Sequence, residues 1–80
     1  MMRLRVHYFA ILRDQRGLAQ ESLSTAAKTA AELYEELRGR HGFTLAGQHL
    51  RAAVNEEFVP WGAALRDGDA VAFLPPVAGG

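Results

Sequence analysis

An α+β domain, with one main helix packed across a small mixed sheet, is the fold this sequence predicts. Three observations carry the prediction. Residues 3–12 alternate with a period of two, the mark of a strand with one buried face. Residues 29–42 place an apolar stripe at helical spacing between a capping signal and a glycine. Asp67-Gly68-Asp69 is a strong turn signal ahead of a last apolar strand, Ala70–Leu74.

In the first strand Leu4, Val6, Tyr8 and Ala10 form the set expected to face the core. Arg3, Arg5, His7, Phe9 and Ile11 fall on the other face, so a large aromatic shares a surface with two arginines and a histidine. Such an aromatic is either covered by the fold or left to meet a partner. Asp14-Gln15-Arg16-Gly17 reads as a turn, with Gly17 free to take a positive φ. A second, weaker strand runs through Glu21-Ser22-Leu23.

Thr29-Ala30-Ala31-Glu32 fits a capping box and opens the helix. Ala30, Leu33, Tyr34 and Leu37 stand at i, i+3, i+4 and i+7, one apolar stripe. Glu36 and Arg40 are four apart in the favourable order and are expected on the wet side. Gly42 suits a left-handed C-cap. Residues 43–50 are irregular and predict no element. Arg51–Val54 reads as a short strand, Asn55-Glu56-Glu57 as a tight turn and Phe58-Val59 as the return. Pro60-Trp61-Gly62 interrupts regular structure, with Trp61 expected to pack at the core or its edge. The expected order is strand, strand, helix, strand, short strand, strand, without repeat or linker, and one domain spans residues 1–80.

Composition removes several classes of function. The chain has 80 residues and no cysteine, hence no disulfide, thiolate nucleophile or sulfur-based metal site. Nine basic and nine acidic residues cancel, so the electrostatic footprint of nucleic-acid binding is missing. No apolar run approaches the ~20 residues of a membrane span, and Met1-Met2-Arg3-Leu4-Arg5 is no secretory leader. A soluble, cytoplasmic chain is expected, with no nucleic-acid or membrane partner. His7, His41 and His49 lack metal-ligand spacing, and no metal site is expected. Glu56, Glu57, Asp67 and Asp69 sit in turns, there is no phosphate-binding glycine loop, and Ser22, Ser24 and Thr25 have no evident base.

Attention therefore moves to residues 75–80, expected to form a protruding C-terminal tail. Pro75 and Pro76 favour an extended, stiff arm and remove two backbone donors. Val77 and Ala78 follow, and Gly79 and Gly80 lack Cβ, so this backbone fits a channel too narrow for other residues. From Pro76 to Gly80 the reach is at most roughly 16 Å at ~3.3 Å per residue. The terminal carboxylate of Gly80 is the best candidate for chemistry. A carboxylate is a poor electrophile, but conversion to an acyl-adenylate supplies AMP as a leaving group. A sulfur donor can then attack, leaving a thiocarboxylate on Gly80.

Three segments carry a family likeness: Tyr8-Phe9-Ala10-Ile11-Leu12-Arg13, Ala53-Val54-Asn55-Glu56-Glu57-Phe58-Val59, and the run from Leu65 through Asp67-Gly68-Asp69 and Pro75-Pro76 to Gly79-Gly80. In these places, and in order along nearly the whole chain, the sequence resembles the ubiquitin-like sulfur carriers that form the small subunit of molybdopterin synthase. The final block is the specific part. The resemblance implies a β-grasp fold. It implies an ATP-dependent, E1-like enzyme that adenylates Gly80, and a sulfurtransferase system that installs sulfur there. It further implies that Pro75, Pro76, Val77, Ala78 and Gly79 carry the thiocarboxylate into the large synthase subunit. There the sulfur builds the dithiolene of molybdopterin on a cyclic pyranopterin phosphate, and acid–base side chains belong to the large subunit. This chain is then a non-catalytic donor that binds no cofactor itself, ATP being used by the activating enzyme.

Family members dock through an apolar patch, and the matching positions here are Phe9, Phe58 and Leu74. The strand periodicity independently sets Phe9 and Leu74 opposite the core sets of their strands. Three other readings share parts of this picture. A carrier for thiamine thiazole synthesis has the same fold and Gly-Gly end but usually lacks the double proline. A protein modifier would join Gly80 to lysines, and the single lysine here, Lys28, limits self-chains to that residue. A plain β-grasp interaction module would have an inert tail.

Overall fold

The computed structural model describes residues 1–75; the calls on Pro76, Val77, Ala78, Gly79 and Gly80 lie outside the described residues. Its elements are β1 (Met2–Tyr8), α1 (Ala10–Arg16), β2 (Gln20–Thr25), α2 (Ala30–His41), a single 3-10 turn (Gly47–His49), β3 (Arg51–Val54), β4 (Glu57–Val59) and β5 (Ala70–Leu74). The strands form one sheet in the order β2-β1-β5-β3-β4. The central pair, β1 and β5, is parallel, with Val6 opposite Val71 and Tyr8 opposite Phe73. The β1–β2, β3–β5 and β3–β4 pairs are antiparallel.

The first strand ends earlier than its alternation predicts. It stops at Tyr8, and the segment expected to be strand end and turn is the short helix α1, capped by Gly17 at φ 84°. Ala, Leu, Arg and Gln are good helix formers, and only Leu12 of α1 is buried. Leu12 lies at a spacing that fits either period, so alternation alone could not separate the two. The change of direction falls on Ala10, which takes φ +51° and is exposed rather than in the core set.

The main helix forms as its signals direct. The Thr29 hydroxyl accepts the Glu32 N–H, and Gly42 closes the helix at φ 69°. The Glu32 carboxylate accepts from the Lys28 N–H, one residue before the usual capping-box partner. Glu36 departs from its expected place on the wet side: Thr25 Oγ1 donates to Glu36 Oε1 at 2.7 Å beneath the sheet. Its other oxygen lies 3.5 Å from Arg40.

Ala30, Leu33, Tyr34 and Leu37 of α2 join Leu4, Val6, Tyr8, Val71 and Phe73 of the central strands in one core. Tyr34 and Trp61 both pack on Phe73, the indole stacked at 5.9 Å. In the irregular stretch 43–50, Phe43 and Leu50 are buried, and the Tyr34 hydroxyl donates to the Leu45 carbonyl at 2.6 Å.

The Asn55-Glu56 hairpin is tight, with both residues at positive φ, 51° and 72°. The side chain of Asn55 donates to Asp69 and accepts the Ala70 N–H, tying this turn to the start of β5. No described helix is long and apolar enough to cross a membrane.

Candidate functional site: the open sheet face and the root of the tail

Pairing register sorts every strand residue onto one of two faces. Leu4, Val6 and Tyr8 point toward α2, so Arg3, Arg5 and His7 point away. On β5 the inward residues are Val71 and Phe73, and Ala72 and Leu74 face out beside His7 and Arg51. Ala53 and Phe58 continue the outward row onto β3 and β4. Among the described residues, no helix covers this face.

The structure places the three proposed docking residues as follows. Phe9 follows β1 in extended conformation, at φ −129° and ψ 151°, and caps α1 with its backbone only. Continuing the β1–β5 register by one step sets Phe9 level with Leu74. Phe9 is 44% and Phe58 60% exposed, and Leu74 is half-buried. Phe58 lies across the sheet on the edge strand, with the Arg51 guanidinium 4.1 Å above its ring. The guanidinium over the ring is a cation–π contact. That extension of the register sets Phe9 beside Leu74 at the end of β5, and Phe58 stands across the same face on the edge strand.

β5 pairs with β1 as far as Phe73 and with β3 as far as Leu74, whose partner is Arg51. Pro75 has no N–H to continue the ladder, and the strand stops there.

A polar cluster fixes the corner that carries Phe9. Glu21 is directed inward from β2, opposite Val6. Its carboxylate accepts from the Tyr8 hydroxyl at 2.6 Å and from Arg16 through two N–H groups, at 2.9 and 2.8 Å. His41 Nε2 lies 3.7 Å away. Hydrogen bonding to Arg16 holds the Glu21 carboxyl down at about 2, against an opposing effect of burial. Burial, reinforced by Glu21, pushes the Tyr8 phenol well up. Burial and the Arg16 charge lower His41, while Glu21 acts to raise it. This cluster was not legible in the sequence. Its signal was a carboxylate at an inward position of a strand, visible once the β1–β2 register is known.

Clefts occur away from the tail root. One of about 300 Å³ lies between α2 and the 3-10 turn, lined by Tyr34, Gly47 and Trp61 among others. Among the described residues no three His, Asp or Glu side chains group closely enough to hold a metal ion.

A mixed five-stranded sheet with its first and last strands parallel at the centre and one main helix against it is a β-grasp, ubiquitin-like domain. The ThiS family model matches residues 6–80, and the chain belongs to that family. The molybdopterin synthase sulfur carrier subunit of Escherichia coli K12 is 34% identical over 80 residues, covering 96% of this chain and 99% of that one. Among solved structures, SAMP1 from Haloferax volcanii aligns with a TM-score of 0.76 and 25% identity, over 98% of this chain and 99% of its own. A complex of subunits 1 and 2 of the molybdopterin-converting factor from Helicobacter pylori aligns with a TM-score of 0.68 and 25% identity, over 99% and 100% of the two chains.

Proposed function

We propose that this chain carries sulfur on its Gly80 carboxylate as the small subunit of molybdopterin synthase. An E1-like enzyme consumes ATP, joins AMP to the carboxylate and releases pyrophosphate. A persulfide of a sulfurtransferase system attacks the acyl carbon and displaces AMP, and a thiol then cleaves the resulting acyl disulfide to leave the thiocarboxylate. Pro75, Pro76, Val77, Ala78 and Gly79 carry that group into the large subunit. There the sulfur passes to a cyclic pyranopterin precursor on the way to the dithiolene. Phe9, Phe58 and Leu74 dock the chain, and it contributes no acid–base side chain of its own.

The observation that carries this reading is the full-length likeness to the Escherichia coli sulfur carrier subunit, within a family match that runs through residue 80. The described geometry supports it. Two exposed aromatics, Phe9 and Phe58, border the same sheet face as Leu74, the last residue of the central strand β5.

The test is the intact mass of the protein from its native cells, with and without the activating enzyme. Exchange of one oxygen for sulfur at Gly80, dependent on that enzyme, is the expected result. Isopeptide conjugates through Gly80 would transfer the chain to the modifier class. An unaltered carboxylate in both samples would remove the carrier reading.

A further inference from the structure

The chain is neutral, but its charges are segregated. Of the strand residues that the register turns outward, three are arginines (Arg3, Arg5 and Arg51) and none is a carboxylate. Glu21 and Glu36 are engaged beneath the sheet. The other seven acids belong to helices, turns and the first residue of β4, where Glu57 pairs with inward-directed Val54. Asp67 borders the far end of the face, and its carboxylate accepts the Arg3 backbone N–H at 2.7 Å.

None of the three guanidinium groups has an ion-pair partner among the described residues. All three arginines are exposed. Arg5 is flanked by Ser22 and Ala70, side chains too short to cover it. Arg51 is held at one border by the Phe58 ring, and Arg3 and Arg5 project two residues apart along β1, about 7 Å. Between these borders the floor is apolar and low, formed by Ala72 and Ala53.

From this pattern we infer that the surface docking on the open face is an acidic protein surface: an apolar socket for Phe9, Phe58 and Leu74, ringed by carboxylates that meet Arg3, Arg5 and Arg51. The inference rests on the docking reading given above and adds the chemistry of the partner. A second copy of this chain, set face to face, would oppose arginine to arginine and is disfavoured. A nucleic-acid strand would satisfy the arginines but leave the alanine floor and Leu74 without apolar cover. A carboxylate-rimmed socket satisfies both. Complementary charge acts mainly on the rate of encounter, and it does so in a salt-dependent way.

The test uses the full chain and the large molybdopterin synthase subunit from the same genome, with association rate and Kd measured at low and high salt. Arg3→Glu with Arg5→Glu, Arg51→Glu, and the like-charged Arg5→Lys are compared with the unaltered chain, and circular dichroism checks each fold. The expected result is an association rate that falls with salt. The double reversal should slow it roughly tenfold or more at low salt and abolish the salt dependence, with Arg5→Lys near normal. Phe58→Asp separates the two levels of the argument. If it removes binding while salt and charge reversal leave the rate unchanged, the docking face stands and the acidic partner is refuted. If the unaltered chain does not bind, or if Phe58→Asp and the reversals are all without effect, the docking reading falls and this inference with it. Binding of a mixed-sequence RNA or DNA oligonucleotide that the reversals remove would reassign the face to phosphate and overturn the inference.

Discussion

Glu21→Gln tests the corner that holds Phe9. The substitution removes the negative charge on which Tyr8, Arg16 and His41 converge, while leaving an oxygen to accept from the Tyr8 hydroxyl. The folded carboxyl titrates at about 2 against an ordinary 4.5, a gap of roughly 2.5 pH units. At about 1.4 kcal/mol per unit that sets a ceiling near 3.5 kcal/mol. The side chain is 18% exposed, and solvent screening reduces the expected loss to roughly 2 kcal/mol. A carboxyl whose folded pKa is depressed stabilises fully above its unfolded value, and the contribution fades as pH falls from 4.5 toward 2. The penalty of Glu21→Gln is therefore largest near neutral pH, is mostly gone near pH 2 and vanishes below it, where the unaltered chain has also taken up the proton. His41 adds an earlier step, since its lowered pKa makes the fold lose stability as pH drops below 6.5. Urea unfolding followed by the fluorescence of Trp61, which is packed on Phe73, reads both effects. Equal stability of the two proteins at pH 7, or an undiminished difference near pH 2, would refute the reasoning.

Other perturbations separate folding from function. Glu56→Gly relieves a left-handed residue at φ 72°, which costs an L-residue about 1–2 kcal/mol, against ~0.5–1 kcal/mol of added chain entropy. A net gain of about 0.5–1 kcal/mol in urea is expected, and a loss would show the turn needs the glutamate. Phe9→Asp or Leu74→Asp should weaken large-subunit binding tenfold or more with helical circular dichroism intact. Loss of helical signal in both would instead make these residues structural. Removal of Gly79-Gly80 should abolish sulfur loading while leaving Tm unchanged, and retained activity in cells would mark the tail as inert.

What the sequence made legible depended on how local the cause was. The α2 boundaries follow from Thr29 and Gly42, whose effects act within one turn of chain, and the Asp67-Gly68-Asp69 turn is likewise local. The β1–α1 junction was not legible, because the segment from Ala10 to Leu12 satisfies both periods and the reversal rests on an alanine at φ +51°. The inward turn of Glu36 was hidden for a different reason. Helical spacing pairs it with Arg40, but the pull of buried Thr25 is a tertiary contact that spacing does not contain. Phe9 is exposed, and the outward direction of Leu74 was visible from alternation. Their adjacency was not, because it depends on β1 and β5 being parallel neighbours despite their separation along the chain.

That parallel pairing has a consequence for transfer. β5 is held between β1 and β3, and its last residue, Leu74, is paired with Arg51. On the proposed docking reading, a partner seated on the open face would limit where Gly80 can arrive. The six residues from Pro75 to Gly80 span at most roughly 20 Å. Two alanines inserted between Leu74 and Pro75 add about 7 Å of chain without touching the docking side chains. If docking positions the tail by length, the insertion leaves the Kd for the large subunit unchanged and lowers single-turnover sulfur transfer by an order of magnitude or more, since small misplacements of reacting groups cost about a hundredfold. Transfer at the normal rate from the lengthened chain would show that the large subunit captures Gly80 independently of the face on which the domain sits.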